Sequence, residues 1–277
     1  MSNTMLRSLA HSLLDPSPLR TVTKAFIRSF NVGSYAERVR IGAVERPGYA
    51  YCTYYAADLA KRLGKKRISV LELGVAGGNG LLQLERRALA TEEALSIKVD
   101  VFGFDTGEGL PPPTDCRDLP YIWQPGFFKM EPNALRKRLS KAELVLGDVG
   151  HTLRDFLQAQ DQASVGAVMI DVDYYSSTTS ALTAIRDCAD KMLPRSFLYF
   201  DDVVGDVHSL YNEFTGELGA INDFNAKNGD MKIAAAAHLA HMAALEPWMS
   251  QVYVLHAFRH PLYNRFVGHE LPQLPLK

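Results

Sequence analysis

Cysteine is scarce in this 277-residue chain. Cys52, Cys116 and Cys188 are odd in number and far apart, so they form neither a disulfide framework nor a Cys-x-x-Cys metal knuckle. A reducing cytosol is therefore the expected compartment. A surplus of one charge is also lacking, with 30 Lys and Arg against 31 Asp and Glu. That balance gives no sign of a nucleic-acid partner. A hydrophobic content of 47% beside 22% charged residues excludes a disordered chain. No apolar run approaches the ~20 residues of a membrane helix. The nearest, Ile233–Leu245, is short and interrupted by His238 and His241. No internal repeat or low-complexity tract is seen, and no secretory signal is expected from these residues. The first 36 residues hold Arg7, Arg20, Lys24 and Arg28 against one acid, Asp15. Such a bias suits a basic helical appendage, and more weakly a transit peptide.

What remains is a chain long enough for one sizeable core. Leu6, Leu9 and Leu13 are spaced as an amphipathic helix, as are Leu19, Val22, Phe26 and Phe30, with Pro16 and Pro18 between them. Tyr49–Leu63 reads as a helix ended by Gly64. Short apolar runs then alternate with helical stretches. The runs are Ile68–Leu73, Val99–Phe104, Leu144–Leu146, Val165–Ile170 and Phe197–Phe200. The stretches are Leu81–Leu95, Asn133–Leu139, Thr152–Gln158 and Ser177–Met192. This alternation predicts an α/β fold whose mostly parallel sheet carries helices on both faces. Helices are expected at Val207–Phe224 and Met231–Leu245, with strands at Gln251–Phe258 and Tyr263–Val267. The best parse is an N-terminal helical cap, residues 1–64, and one α/β domain, residues 65–277. The long connection from Gly107 to Ala142, rich in proline, reads as a lid or binding loop.

Each of the five runs ends in, or carries near its end, an acid: Glu72, Asp105, Asp148, Asp171, and Asp201 with Asp202. A parallel α/β sheet binds ligands outside the carboxyl ends of its strands, so these acids should share one rim. Carboxylates crowd together only where hydroxyls, cations or metals meet them. The first turn reads Glu72-Leu73-Gly74-Val75-Ala76-Gly77-Gly78. Small residues there let backbone approach a ligand at a helix N-terminus. The register does not give Gly-x-Gly-x-x-Gly; it gives acid-x-Gly-x-small-x-Gly. Asp105 can accept from both hydroxyls of a ribose. Asp148 either faces an adenine amine or caps the next helix. Asp171, Asp173, Asp201 and Asp202 offer the hard oxygen donors that Mg²⁺ prefers, with a fourth acid free to take a proton. The bland alternative makes Asp173, Asp201 and Asp202 turn residues and caps. His151 and His208 fall near the same rim and read as loop residues. Trp123, Phe127 and Phe128 read equally as core packing or as a cover for a ligand.

Four segments together resemble the macrocin O-methyltransferase family. They are Val101–Pro111 (Val-Phe-Gly-Phe-Asp-Thr-Gly-Glu-Gly-Leu-Pro), Gly147–Leu153 (Gly-Asp-Val-Gly-His-Thr-Leu), Ile170–Leu182 (Ile-Asp-Val-Asp-Tyr-Tyr-Ser-Ser-Thr-Thr-Ser-Ala-Leu) and Tyr199–Asp202 (Tyr-Phe-Asp-Asp). The resemblance covers roughly residues 65–215. It implies a Rossmann-like class I methyltransferase fold in the 65–277 domain, with S-adenosylmethionine and Mg²⁺. Carried across by position, Glu72, Gly74, Ala76, Gly78 and Asp105 would hold the cofactor, with Asp148 near its adenine. Asp171, Asp201 and Asp202 would be metal ligands, and Asp173 the general base. The acceptor would be a hydroxyl of a sugar or similar polyol-type natural product, and a homo-oligomer through the N-terminal helices is implied as well. The chain departs from the family at Tyr174 and Val203. The block Arg46–Tyr51 and the segment Asp223–Met249 match none of its motifs.

Two rivals stand beside that expectation. A nicotinamide-dependent Rossmann oxidoreductase would want the missing Gly-x-Gly-x-x-Gly. A non-catalytic binding protein of the same fold would have no need for crowded acids.

Overall fold

A computed structural model describes residues 18–242 and 244–268. The helix expected at Leu6–Leu13 lies outside them. In chain order the helices are α1 (Pro18–Ser29), α2 (Tyr35–Arg40), α3 (Pro47–Arg62), α4 (Asn79–Leu95), α5 (Pro132–Arg136), α6 (Val149–Gln158), α7 (Tyr175–Asp187), α8 (Gly216–Lys227) and α9 (Pro247–Ser250). The strands are β1 (Arg67–Leu73), β2 (Lys98–Asp105), β3 (Glu143–Leu146), β4 (Val165–Ile170), β5 (Met192–Phe200), β6 (Met231–Ala235) and β7 (Val252–Ala257).

They form one sheet of seven strands in the order β3-β2-β1-β4-β5-β7-β6. β1 to β5 pair in parallel, and β7 runs antiparallel to both β5 and β6. The sheet is Rossmann-like and mostly parallel, as the alternation of apolar runs and helices predicts. Its strands are apolar on both faces. Ile68, Val70, Ala167 and Met169 enter one core with α3 and α4. The residues between or beside them, Leu71, Leu73, Val168 and Ile170, enter a second core with α6, α7 and α8. Each fully buried Leu or Ile there contributes roughly 1.5–3 kcal/mol of transfer free energy.

The tail differs from expectation. The Ala-rich stretch from Met231 is a strand followed by a 3-10 turn at Ala237–His241. Met231 and Ile233 are buried while Lys232 between them is only half-buried, so the period is two. Pairing with β7 overrides the helix propensity of alanine. The helix expected at Val207–Phe224 begins only at Gly216 and runs to Lys227. Tyr263–Val267 is turn and irregular chain. The expected helix Ser177–Met192 stops at Asp187, and β5 starts at Met192, so this strand is longer than the run Phe197–Phe200.

The long loop after β2 is tied down rather than free. Asp118 is fully buried; its carboxylate accepts from the amides of Thr114, Asp115 and Ser176 at 2.8–3.0 Å. Tyr174, one of the departures from the resembled family, donates its hydroxyl to the Pro111 carbonyl at 3.0 Å. Both contacts hold the proline-rich segment over the end of β4. Among the described residues, no helix is long and apolar enough to cross a membrane.

Candidate active site

The ends of β1, β2, β3, β4 and β5 open onto one cavity of about 310 Å³. Gly74, Ala76, Asp105 and Asp148 line it, together with Asp171, Asp173, Asp201 and Asp202. Trp123 and Phe128 from the long loop wall its outer side, so these two aromatics face the cavity. Trp123 Nε1 is buried with no hydrogen-bond partner, which leaves a donor for a ligand.

The turn after β1 is shaped by close approach. Gly74 has φ 85°, and a Cβ there would lie 1.6 Å from the Asp171 carbonyl oxygen. Only glycine lets the β1 and β4 ends pass this closely. Asp105 then fixes the turn. Its Oδ2 accepts from the amides of Val75 and Ala76 at 2.8 and 2.9 Å, and its Oδ1 from Gly107 at 2.6 Å. Asp105 thus braces the turn and borders the cavity with the same carboxylate. Asp148 is the N-cap of α6, accepting from the His151 amide at 3.2 Å, and it also lines the cavity. The capping reading holds, and the carboxylate also borders the cavity.

Glu72 and Gly78 stand apart from the cavity wall. Glu72 is 1% exposed, and its Oε1 accepts from the Tyr49 hydroxyl at 2.8 Å while Oε2 has no partner. Burial pushes its carboxyl up to about 8. Gly78 is the N-cap of α4, at φ 81°, and packs against Leu135. His151 and His208 are exposed loop or helix-end residues, and neither lines the cavity.

The aspartates of β4 and β5 are crowded and held. The sheet ladder continues one residue past each strand, with the Asp171 amide donating to Leu73 and the Asp201 amide to Ile170. Extended geometry stops there. Asp173 has φ 59°, a left-handed conformation, so strand alternation does not set its direction. Burial first, then the charges of Asp201, Asp202 and Asp173, push the Asp171 carboxyl well above the carboxylate range. Burial and the same crowding raise Asp173 and Asp202. Tyr211 donates to Asp202 Oδ1 at 2.8 Å, and Tyr199 to Asp201 Oδ1 at 3.1 Å. Asp202 Oδ2 is buried without a partner.

This donor set fits a hard divalent cation chemically: it is all carboxylate, it carries more negative charge than burial tolerates, and one oxygen is orphaned. Among the described residues, no group of three or more His, Cys, Asp or Glu side chains is gathered closely enough to hold a metal ion. Bonds to Tyr199 and Tyr211, and the turned backbone at Asp173, set the present side-chain positions.

No protein-family model matches the chain, and no curated protein matches it. Among solved structures it is similar to CalS11, a calicheamicin methyltransferase, at 19% identity over 87% of this chain and 93% of that one, with a TM-score of 0.49. It is similar to the O-methyltransferase NovP at 13% identity over 76% and 79%, TM-score 0.49. The O-methyltransferase from Bacillus cereus, solved in complex with SAH, shares 12% over 91% and 96%, TM-score 0.41.

Several residues of the rim escape the sequence reading. Glu217, in the first turn of α8, is fully buried; its Oε2 accepts from the Asp202 amide at 3.0 Å and its Oε1 has no partner. Burial and the charge of Asp202 raise its carboxyl. The unmatched block Arg46–Tyr51 proves to be the start of α3, with Pro47 at its first position. Gly48 packs on Tyr199 so closely that a Cβ would lie 2.4 Å from that ring. Arg46 sits over the Tyr49 ring at 5.2 Å, and its charge is felt by Tyr49, Asp201, Asp171 and Glu72. The signal was present as an unexplained motif; what sequence lacked was the packing that brings it to the strand ends.

Proposed function

We propose that the chain is an S-adenosylmethionine-dependent O-methyltransferase acting on a hydroxyl of a sugar or similar polyol-type small molecule. One observation carries this reading. A single cavity at the carboxyl ends of the strands joins a small-residue turn braced by Asp105 to four aspartates from β4 and β5. Gly74, Ala76, Asp105 and Asp148 hold the cofactor, with Glu72 and Gly78 supporting the turn from behind. Trp123 and Phe128 exclude water from it.

In the reaction the acceptor oxygen attacks the methyl carbon, the carbon–sulfur bond breaks, and its electron pair stays on sulfur as S-adenosylhomocysteine leaves. The hydroxyl proton goes to a carboxylate, which we assign to Asp173. The sulfonium is reactive by itself, so the protein chiefly aligns donor and acceptor and removes the proton. Asp171, Asp201 and Asp202 would hold Mg²⁺, which when bound supplies positive charge that favours the ionised hydroxyl.

The test is a transfer assay with labelled cofactor against glycosides and catechols, beside titrations with S-adenosylhomocysteine and NADH. S-adenosylhomocysteine should bind and NADH should not; the reverse would make the protein an oxidoreductase. Asp171→Ala should abolish transfer and keep S-adenosylhomocysteine affinity. The same variant should lose the rise in melting temperature that Mg²⁺ gives the wild type. Full transfer in that variant, or in excess EDTA, would remove the metal from the mechanism.

A further inference from the structure

A second cavity of about 310 Å³ lies against the starts of α3 and α4. Its lining is of opposite character. Arg46, Arg86 and Arg138 converge on it from three different elements or their ends, against one acid, Glu45. Arg86 meets Glu45 only at 4.0 Å, and both side chains are more than half exposed, so the pair neutralises little. Among the described residues, Arg138 has neither a hydrogen bond nor an ion pair from its side chain. The cavity also borders Asn79, the first residue of the 17-residue helix α4. That helix has no side-chain cap and no acid of its own in the first turn, and the buried Glu72 carboxyl lies against Gly80 on the inner side of that turn. A further lining residue, Gln83, keeps a buried Oε1 with no partner, an acceptor for a hydroxyl.

Arg46 links the two cavities. It lines the second one and sits over the Tyr49 ring at 5.2 Å; Tyr49 packs on Tyr199 at 5.1 Å, and Tyr199 donates to Asp201 of the first at 3.1 Å. Its backbone is left-handed at φ 46° and ψ 64°, which costs free energy for a side chain of this size. Two arginines added to Arg46 would repel one another unless an anion joins them.

We propose that this cavity binds the anionic group, a phosphate or carboxylate, of a hydroxylated acceptor whose reacting oxygen lies among the aspartates next door. The proposal rests on the transferase reading above and narrows its substrate to acidic compounds. Guanidinium groups and a helix N-terminus both suit phosphate oxygens. The Gln83 oxygen suits a hydroxyl on the same molecule. The other source of a nearby anion is the amino-acid carboxylate of the cofactor, and the experiment separates the two.

Inorganic pyrophosphate is titrated calorimetrically into the full chain with EDTA present, and S-adenosylhomocysteine is titrated in parallel. Both are repeated on the Arg86→Gln/Arg138→Gln double variant. The expected result is that pyrophosphate binds the wild type and weakens about tenfold or more in the variant, a loss of the size that charge-assisted contacts carry. S-adenosylhomocysteine affinity should stay within about threefold in the variant. No binding of pyrophosphate to the wild type, or equal binding to the variant, would overturn the site. A parallel loss of S-adenosylhomocysteine affinity would assign the cavity to the cofactor and overturn the acceptor role. If pyrophosphate behaves as expected while S-adenosylhomocysteine never binds, the anion site stands and the transferase reading fails.

Discussion

Tyr49 is the residue on which the rim leans. It is fully buried, packs edge-on to Tyr199 at 5.1 Å, and is the hydrogen-bond donor to Glu72. Tyr49→Phe removes the hydroxyl and keeps the ring. Glu72 then has two buried oxygens without a donor, which should cost about 1–3 kcal/mol. A urea midpoint measured on both proteins checks this; an unchanged midpoint would mean that water reaches Glu72. At this scale the sequence is a partial guide. The acids at strand ends are legible because chain order and strand period place them on one edge. Glu217 and Tyr211 are not, because they reach Asp202 through tertiary packing rather than spacing. The direction of Asp173 was illegible too, since a single left-handed residue ends the alternation.

Among the elements, β3 is the most exposed to failure. It is a strand of four residues with no fully buried side chain. Its entry is pinned by one carboxylate on α4. Glu85 accepts from the amides of Ser140, Lys141 and Ala142 at 2.6–2.9 Å and from the Ser140 hydroxyl at 2.8 Å. These bonds hold the Glu85 carboxyl below its ordinary range against the opposing effect of burial. Glu85→Ala should therefore cost about 2–3 kcal/mol. Amide exchange at Lys141 and Ala142 should quicken more than in β1 or β4. Uniform exchange changes would show that β3 does not depend on this anchor. The parallel strands were legible as apolar runs because both faces are covered. β6 was not, because its two alanines and one lysine carry little strand signal. Its pairing with β7 decides the matter, and that contact is absent from any local window of sequence.

For the whole molecule, near neutrality conceals two sets of acids with opposite effects on folding. Glu85, Glu92 and Glu246 are held below their ordinary range in spite of partial burial, because amides, lysines and arginines meet them. Their stabilisation is present above the unfolded value and is lost as pH falls through the folded one. Glu72, Asp171, Asp173, Asp202 and Glu217 are raised, by burial first and by mutual repulsion second. The folded chain keeps protons there that the unfolded chain releases, so stability falls as pH rises above the ordinary carboxylate range. For Glu72 the window runs from 4.5 to about 8. Each proton retained in this way lowers stability by about 1.4 kcal/mol per pH unit. In EDTA, the melting temperature should peak near the lower end of that window and decline towards pH 8. Glu72→Gln keeps an oxygen for the Tyr49 hydroxyl and removes the charge, so its decline should be shallower by up to one proton. Melting curves of both proteins between pH 4 and 9 decide it. A flat profile, or equal slopes, would mean that water already meets the buried acids. Buried carboxylates cost stability at neutral pH, and of the five raised here Asp171, Asp173 and Asp202 line the cavity at the strand ends while Glu72 and Glu217 are buried away from its wall.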